Sequence, residues 1–385
     1  MAAILVTMCN PLAAGAPMMV TQFAEGLREA GYDVVVAHGP PATAHVADVL
    51  GRLRASGATL VEIEPFRPTR LWSNVRRTHA IARQHRCVAV LSTQQADRVV
   101  AAAVSRRLRL PFVSYCGLPT MAHGSRVARR LKARGHSWAF RRADVVICPA
   151  PLTREHVISR HGVREDRARL LYNGIDTARY TARAEDARRA RTAGPLRLTS
   201  VGRTQWEKGH DLLLRALIER RDDLPDWTLS IIGARTGGGT DQHDALIGEL
   251  LRHPAIAARV SLPGWSTEVA AELGRTDVYV HPSRTEGWPL AVCEAMAAGC
   301  AVVMTDCAGR PAGFTDGVHG WVVPTGDVTA LGEAVVRALT ADDETRRAIG
   351  AAASEFAHRN FDIGPCSAQV VRWFDELLGR TSGAT

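Results

Sequence analysis

Short apolar runs alternate along the chain with longer stretches in which apolar residues recur at helical spacing. In the first half these runs predict strands at residues 4–8, 33–37, 88–92, 112–115, 145–148 and 169–172. Helices are predicted at 18–30, which Gly31 ends, and around 44–54. This alternation predicts an α/β domain built on a parallel, doubly wound sheet with right-handed crossovers.

The alternation resumes after residue 195, which indicates a second domain of the same kind. Its predicted strands lie at residues 196–201, 228–232, 260–262, 277–280, 301–305 and 320–323. Residues 177–195 are polar and charged and lack apolar periodicity, so we predict a linker there. An amphipathic helix is predicted at 367–378. The expected organisation is a domain at 1–176, the linker 177–195, a domain at 196–362 and a C-terminal helical segment at 363–385.

The segment from His281 to Gly299 contains a strand end, a loop and a helix that leads to the next strand. Pro289 suits the first turn of that helix and Gly299 its end. In parallel sheets ligands bind beyond the carboxyl ends of the strands, and the free N–H groups at the start of a helix favour an anion. Residues 284–290 occupy this place, which makes the loop the first candidate for a binding site.

Two carboxylates lie around this helix start. Glu286 is in the loop, where a diphosphate would repel it, so it is a candidate to face sugar hydroxyls or the positive charge at a breaking glycosidic carbon. Glu294 lies over a turn into the helix, where it can accept hydrogen bonds from a ribose. Alternatively, both are solvated carboxylates at a helix end, and Glu286 complements the helix dipole.

The chain contains only two lysines, Lys132 and Lys208, among 48 basic residues. Where arginine is so strongly preferred, a lysine inside a motif indicates a site that needs a compact ammonium group, although two lysines can also fall anywhere by chance. Lys208 follows Arg203, which lies at a predicted strand end. We interpret both as the cations that balance a diphosphate. The alternative for Arg203 is a salt bridge to Glu207 or Asp211.

The pair Glu286 and Glu294, separated by seven residues and beginning with Glu-Gly-Trp-Pro-Leu, resembles the retaining glycosyltransferases of family 4, which have the GT-B fold. Three more segments agree in order: 201–211 resembles the Gly-Arg…Lys-Gly element of the family, 173–176 its interdomain turn, and 231–233 its next strand end. The resemblance is strong over residues 170–330 and weaker over 1–165. It implies two Rossmann-like domains that face a cleft, an N-terminal one for the acceptor and a C-terminal one for the nucleotide-sugar donor. It also implies that the last helix crosses back onto the first domain.

The resemblance also implies which residues bind the donor. Gly233, Gly264 and Trp265 resemble the places where the nucleobase rests, and Trp265 is either a stacking surface or a buried packing residue. The backbone N–H groups of 288–290 would join Arg203 and Lys208 at the diphosphate. The donor-binding residues predicted in this half are Gly233, Gly264, Trp265, Gly287, Trp288, Pro289, Leu290 and Glu294.

The resemblance to the family is weaker in the first half of the chain. Gly15, in the loop after the first strand, would let the backbone approach the donor, with a simple tight turn as the alternative. His123 is a candidate for the histidine that lies near the sugar in several relatives, although a lone loop histidine is more often structural. Ala312 stands where similar proteins tend to have a glutamate after proline, which leaves the sugar contacts on that side open.

The implied activity is transfer of a hexose, with retention, from a nucleoside diphosphate sugar to an acceptor hydroxyl. UDP is favoured over GDP, and the acceptor is a small natural product, a cell-wall intermediate or a lipid-linked glycan. No Asp-x-Asp pair suits Mg²⁺ or Mn²⁺, so we predict a metal-independent site without a tightly bound cofactor. The catalytic candidates are Glu286, Arg203, Lys208 and His123. A GT-B-like nucleotide-sugar epimerase and a catalytically silent nucleotide-binding subunit remain alternatives.

The net charge of +9 is unevenly distributed. Up to residue 195 there are 30 Lys and Arg against 14 Asp and Glu, and beyond it 18 against 25. The densest basic stretch, 126–142, predicts a basic amphipathic helix, which meets an anionic membrane surface or an acidic acceptor, or is simply solvated. No recognised nucleic-acid motif accompanies the charge, so we do not expect nucleic acid binding.

The remaining composition indicates a cytoplasmic protein, peripheral to the membrane at most. Eight scattered cysteines form no Cys-x-x-Cys pair and are expected as buried thiols in a reducing compartment. The apolar start of the chain lacks a basic lead and a cleavage site, so it is interpreted as a strand rather than a signal peptide. No apolar run approaches 18 residues. No oligomeric state is predicted.

Overall fold

The structure, a computed structural model, describes residues 2–11, 15–40, 47–64, 66, 68–117, 126–233, 242–307 and 309–380. It divides into two compact units. The first comprises Met1–Gly174 together with Ile363–Thr385, and the second comprises Ile175–Asp362. Both are α/β units built on parallel strands, which confirms the predicted fold class.

In the described residues the first unit contains seven strands: β1 (Ala3–Met8), β2 (Asp33–His38), β3 (Thr59–Glu62), β4 (Cys87–Ser92), β5 (Phe112–Tyr115), β6 (Val145–Cys148) and β7 (Ala168–Leu170). They form one sheet in the order β3-β2-β1-β4-β5-β6-β7. Its helices are α1 (Ala16–Glu29), α2 (Ala47–Ala55), α3 (Leu71–Gln84), α4 (Gln95–Leu108), α5 (Arg126–Arg142) and α6 (Pro151–His161).

The part of the second unit that the structure describes contains six strands: β8 (Leu196–Val201), β9 (Trp227–Ile232), β10 (Val260–Gly264), β11 (Val278–His281), β12 (Ala301–Thr305) and β13 (Trp321–Val323). Their order in the sheet is β10-β9-β8-β11-β12-β13. The helices are α7 (Thr177–Arg189), α8 (His210–Glu219), α9 (Gln242–Leu250), α10 (Val269–Gly274), α11 (Leu290–Ala297), α12 (Val328–Thr340) and α13 (Asp343–Phe361). A final helix, α14 (Ile363–Leu378), returns to the first unit.

The central strands of both sheets are covered on both faces. Every residue of β1, β6, β11 and β12 is buried, as expected for parallel strands flanked by helices, which appear in sequence as continuous apolar runs. The boundaries of β5, β6, β8 and β12 agree with those predicted from their apolar runs. Among the described residues, no helix combines the length and apolar character needed to cross a bilayer.

The stretch predicted as a linker, residues 177–195, is helical over most of its length. Residues Thr177–Arg189 form α7, which is capped by Asp176, whose carboxylate accepts the Arg179 N–H at 2.9 Å. Its buried residues are small, and Ala184 fits so closely against α10 that a Cβ on Gly274 would lie 2.3 Å from the Ala184 carbonyl oxygen. Helix α7 therefore packs inside the second unit, and its alanine-lined contact produced no apolar periodicity.

Helix α14 packs on α1 within the first unit. The Tyr32 hydroxyl donates to the Asp375 carboxylate at 2.5 Å, and Arg169 pairs with Glu376 at 2.9 Å. At the closest approach of the two helices, a Cβ added to Gly26 would lie 2.8 Å from the Ser367 Cβ. Gly26 is thus required because the two helix backbones approach closely.

We predict opposite effects for two glycine substitutions in the first unit. Gly26→Ala should lower the free energy of unfolding by about 1–3 kcal/mol, because the added methyl group overpacks the contact between α1 and α14. Gly51→Ala, in α2, should raise it by up to about 1 kcal/mol, because an added Cβ meets no heavy atom within 4 Å and alanine favours the helix. Urea unfolding followed by circular dichroism measures both. Equal shifts in the two variants would contradict the packing of α14 on α1.

Candidate functional site

Glycines lie at the carboxyl ends of three neighbouring strands of the second unit. Gly202 donates its N–H to the Ile232 carbonyl, and Gly233 donates to the Gly264 carbonyl, each at 2.8 Å. A Cβ on Gly233 would lie 2.1 Å from the Gly202 carbonyl oxygen. This edge therefore exposes backbone where side chains would otherwise project. Trp265 follows it and is 38% exposed, so the alternative that it is a buried packing residue is wrong.

The loop after β8 lies directly against the loop after β11. Gly209 has φ +65°, and a Cβ there would lie 2.0 Å from the Pro282 carbonyl oxygen. The Arg284 N–H donates to the Glu207 carbonyl at 2.7 Å. These backbone contacts explain why Lys208, from the first loop, and Glu286, from the second, come together although they are far apart in sequence.

Glu286 is the centre of a buried polar cluster. Its Oε1 accepts hydrogen bonds from Lys208 Nζ at 2.6 Å and Ser283 Oγ at 2.9 Å, and lies 3.1 Å from His281 Nε2. Burial alone would raise the pKa of Glu286, but the hydrogen bonds from His281 and Lys208 and the charge of Lys208 outweigh burial and lower it to about 2. Only 9% of the residue is exposed, so the alternative of a solvated helix-end carboxylate is wrong for Glu286.

A second ion pair stabilises the same loops. Both Arg284 guanidinium nitrogens bond the Asp211 carboxylate at 2.7 Å, and the guanidinium carbon lies 4.9 Å from the centre of the Trp206 ring. Because Asp211 is paired with Arg284, it is not the partner of Arg203. Within the described residues Arg203 is exposed and forms no ion pair with Asp211 or Glu207, so that alternative is wrong. The Arg284–Asp211 pair was not predicted from the sequence.

The start of α11 differs from the prediction. Pro289 is the residue that caps the helix rather than a residue of its first turn, and the Leu290 N–H donates to the Trp288 carbonyl at 3.1 Å. Proline has no N–H, so residues 288–290 offer fewer amides to an anion than expected. The Trp288 side chain is buried and meets the edge of the Phe361 ring at 5.3 Å between centroids. Gly287, next to it, is buried as well.

Glu294 has a different environment from Glu286. It is half-buried in α11 and hydrogen-bonded to Tyr180 of α7. Burial raises the pKa of Glu294, and the Tyr180 hydrogen bond and the Arg179 charge only partly oppose this effect. The residue is therefore partly withdrawn from solvent, unlike the fully solvated carboxylate of the alternative interpretation.

The candidates of the first half are less well defined. Gly15 has φ +54°, precedes α1, and has no heavy atom within 4 Å of a Cβ placed on it. Its proposed contact with the donor stays a prediction. His123 lies outside the described residues. Among the residues that the structure describes, no group of three or more His, Cys, Asp or Glu side chains could hold a metal ion.

Two family models match the chain. One, described as Glycosyl transferases group 1, matches residues 195–341, and the other, described as Glycosyltransferase Family 4, matches residues 13–179. The chain is 31% identical over 255 residues to the glycogen synthase of Mycobacterium tuberculosis. The aligned region covers 64% of this chain and 59% of that protein. It is 31% identical over 227 residues to a D-inositol 3-phosphate glycosyltransferase of Mycobacteroides abscessus, covering 57% of this chain and 50% of that protein. The matches thus span only about half to three-fifths of the length of these two relatives.

Solved structures share the whole architecture. The Anabaena HepE protein, crystallised in complex with UDP and glucose, aligns with a TM-score of 0.81 at 19% identity over 98% of this chain and 100% of that chain. The sucrose-phosphate synthase of Thermosynechococcus elongatus aligns with a TM-score of 0.77 at 19% identity, with the same coverage. At this identity the likeness defines the fold. Together with the two family models and the spacing of Glu286 and Glu294, these matches establish that the chain belongs to glycosyltransferase family 4 and has the GT-B fold.

Proposed function

We propose that the protein is a retaining, metal-independent glycosyltransferase that moves a hexose from a nucleoside diphosphate sugar to an acceptor hydroxyl. The observation that carries the proposal is the ion pair of Lys208 with the buried, ionised Glu286 at the carboxyl edge of the second sheet. A compact ammonium and a fixed carboxylate side by side suit a diphosphate leaving group and the sugar attached to it.

In this proposal the second unit binds the donor. The bare backbone at Gly233 and Gly264, with the exposed Trp265, receives the nucleobase, and Glu294 accepts hydrogen bonds from the ribose. UDP is favoured over GDP, in line with the UDP and UDP-glucose in the crystals of HepE. The first unit receives the acceptor, which is a small natural product, a cell-wall intermediate or a lipid-linked glycan.

The two cations have distinct positions around the diphosphate. Lys208 uses one of its three N–H donors on Glu286, so two remain for phosphate oxygens. Arg203 is exposed and has no ion pair among the described residues, which leaves its guanidinium available for a bidentate contact. The two side chains thus supply the positive charge that balances the leaving group.

The reaction step follows from these charges. The bond between the sugar anomeric carbon and the phosphate oxygen breaks, the acceptor oxygen bonds to the same carbon from the same face, and its proton passes to the departing phosphate oxygen. Glu286 remains ionised because its pKa is lowered to about 2, so it stabilises the positive charge that develops at the sugar and does not act as an acid.

Substitution of Lys208 tests the donor site. Lys208→Ala should lower turnover about 10² to 10³-fold, the scale of losing one stabiliser of developing charge. Arg215→Ala, which removes an exposed cation from α8, is the control and should retain wild-type turnover.

A thermal-shift screen of nucleotides identifies the base, since a ligand at 100 times its dissociation constant adds about 2.7 kcal/mol of stability.

The outcomes of this experiment separate the candidate functions. Wild-type kinetics in Lys208→Ala would contradict the proposed contact of Lys208 with the diphosphate. An epimer formed from donor alone would indicate a nucleotide-sugar epimerase, and nucleotide binding without transfer to any acceptor would indicate a silent subunit. Transfer that persists in the presence of a chelator supports metal independence, and its loss would contradict it.

Helix α5 of the first unit is basic and suits an anionic membrane surface. Residues 129–134 of α5 are all exposed, and four of these six residues are Arg or Lys. Leu131 is 62% exposed among them. A half-helix that combines cations with an uncovered apolar residue is typical of interfacial attachment. We propose that the enzyme is cytoplasmic, in keeping with its eight free cysteines, and that α5 meets the inner membrane face.

Vesicle sedimentation tests this contact. The protein should bind phosphatidylglycerol vesicles, should not bind phosphatidylcholine vesicles, and should be released by salt, because each surface cation contributes about 1 kcal/mol. The double variant Arg130→Glu, Lys132→Glu should bind at least about tenfold more weakly. The control, Arg183→Glu with Arg215→Glu, reverses two exposed charges of the second unit and should bind like wild type. Absence of binding at low salt would show that α5 is only solvated.

A further inference from the structure

The hydrogen bonds of Glu286 fall on one of its two oxygens. Lys208 at 2.6 Å, Ser283 at 2.9 Å and His281 at 3.1 Å all converge on Oε1. A carboxylate oxygen has about two lone-pair sites, so Oε1 is fully used. None of these three donors bonds Oε2. Oε2 is therefore the oxygen left for a ligand.

His281 is itself held by a neighbouring residue of the same strand. The Tyr279 hydroxyl lies 3.3 Å from His281 Nδ1, and the two rings stack with centroids 6.2 Å apart and planes at 23°. Tyr279 is 0% exposed and His281 2% exposed. A hydroxyl that donates to Nδ1 leaves the proton of a neutral imidazole on Nε2, where it can be donated to Glu286.

Tyr279 and His281 lie on a more rigid element than the Glu286 carboxylate that they orient. Tyr279 and His281 belong to β11, which is paired with β12 at both residues and with β8 at Tyr279. Glu286 lies in the following loop. The loop is held by Thr305, whose hydroxyl donates to the Ser283 carbonyl at 2.5 Å. A central strand thereby fixes the orientation of a loop residue, as a supporting shell does for a site built on a loop.

We propose that Tyr279 and His281 are positioning residues that fix the Glu286 carboxylate, so that Oε1 is bound by the protein and Oε2 faces the donor sugar. The proposal rests on the proposed function for the identity of the ligand. Tyr279 acts through His281: its hydroxyl at Nδ1 and the Glu286 carboxylate at Nε2 together favour the Nε2–H tautomer, and that donor fixes the carboxylate before the substrate arrives. Such preorganisation avoids reorientation during the reaction.

Tyr279→Phe tests the relay because it removes the hydroxyl and keeps the stacked ring. In ¹⁵N-histidine spectra at neutral pH, wild-type His281 should show a single Nε2–H tautomer, and Tyr279→Phe should show a mixture of tautomers. His281→Gln assigns the signal among the 14 histidines. Tyr32→Phe, which removes another buried tyrosine hydroxyl in the first unit, is the matched control and should leave the signal unchanged.

Kinetics provide a second, independent measurement. Tyr279→Phe should lower kcat about tenfold with little change in the donor KM, since a hydrogen bond that orients a transition-state contact is lost. His281→Gln, whose amide can replace the Nε2–H donor, should retain more activity than His281→Phe. Tyr32→Phe should have wild-type kcat. Equal activity of His281→Gln and His281→Phe would contradict the donor role.

The two proposals fail in different ways. An unchanged tautomer in Tyr279→Phe, or a doubly protonated His281 in the wild type at neutral pH, would overturn the relay even if sugar transfer is observed. A wild-type protein that transfers no sugar to any acceptor would overturn the proposed function, while the tautomer spectra would still decide whether Tyr279 orients His281.

Discussion

The ionised carboxylate of Glu286 is the constraint on which the second unit depends, because a buried charge is costly unless it is paired and hydrogen-bonded. Its pairing requires Lys208 to reach across from the loop after β8, and Gly209 allows that loop to approach the Pro282 carbonyl. Gly309 is equally constrained, since a Cβ there would lie 2.7 Å from the Glu286 Cβ. These glycines therefore allow the loops to come close enough for the ion pair to form, and the ion pair keeps the two loops together.

Much of the architecture was predictable because buried parallel strands have an unambiguous signature. Strands such as β12, with five buried residues in a row, appear as continuous apolar runs between turns. The signal fails where burial is partial or the buried residues are small. Strand β3 is exposed at both ends, and α7 buries alanines, so neither produced a period that stood out from its polar neighbours.

The candidate site was predictable as a set of residues but not as a set of contacts. Lys208 was selected because lysine is rare in this chain, and Glu286 because of its place before a helix. Their contact joins residues 78 positions apart, and the Arg284–Asp211 pair joins residues 73 apart. A single sequence specifies that both loops lie at one sheet edge, since each follows a strand. It does not specify which cation meets which carboxylate, because that depends on side-chain directions after folding.

The two glutamates of the motif show how environment separates like groups. Glu286 has a lowered pKa because three donors compensate its burial, whereas burial raises the pKa of Glu294 and only Tyr180 and Arg179 oppose it. A raised folded-state pKa means that ionised Glu294 reduces stability as pH rises above the ordinary value of 4.5. In the proposed complex, ribose hydroxyls donate to Glu294 and supply the hydrogen bonds that it lacks. The carboxylate with the incomplete set of donors is thus the one suited to bind hydroxyls, and the one whose donors are complete on Oε1 is suited to hold a fixed charge beside the sugar.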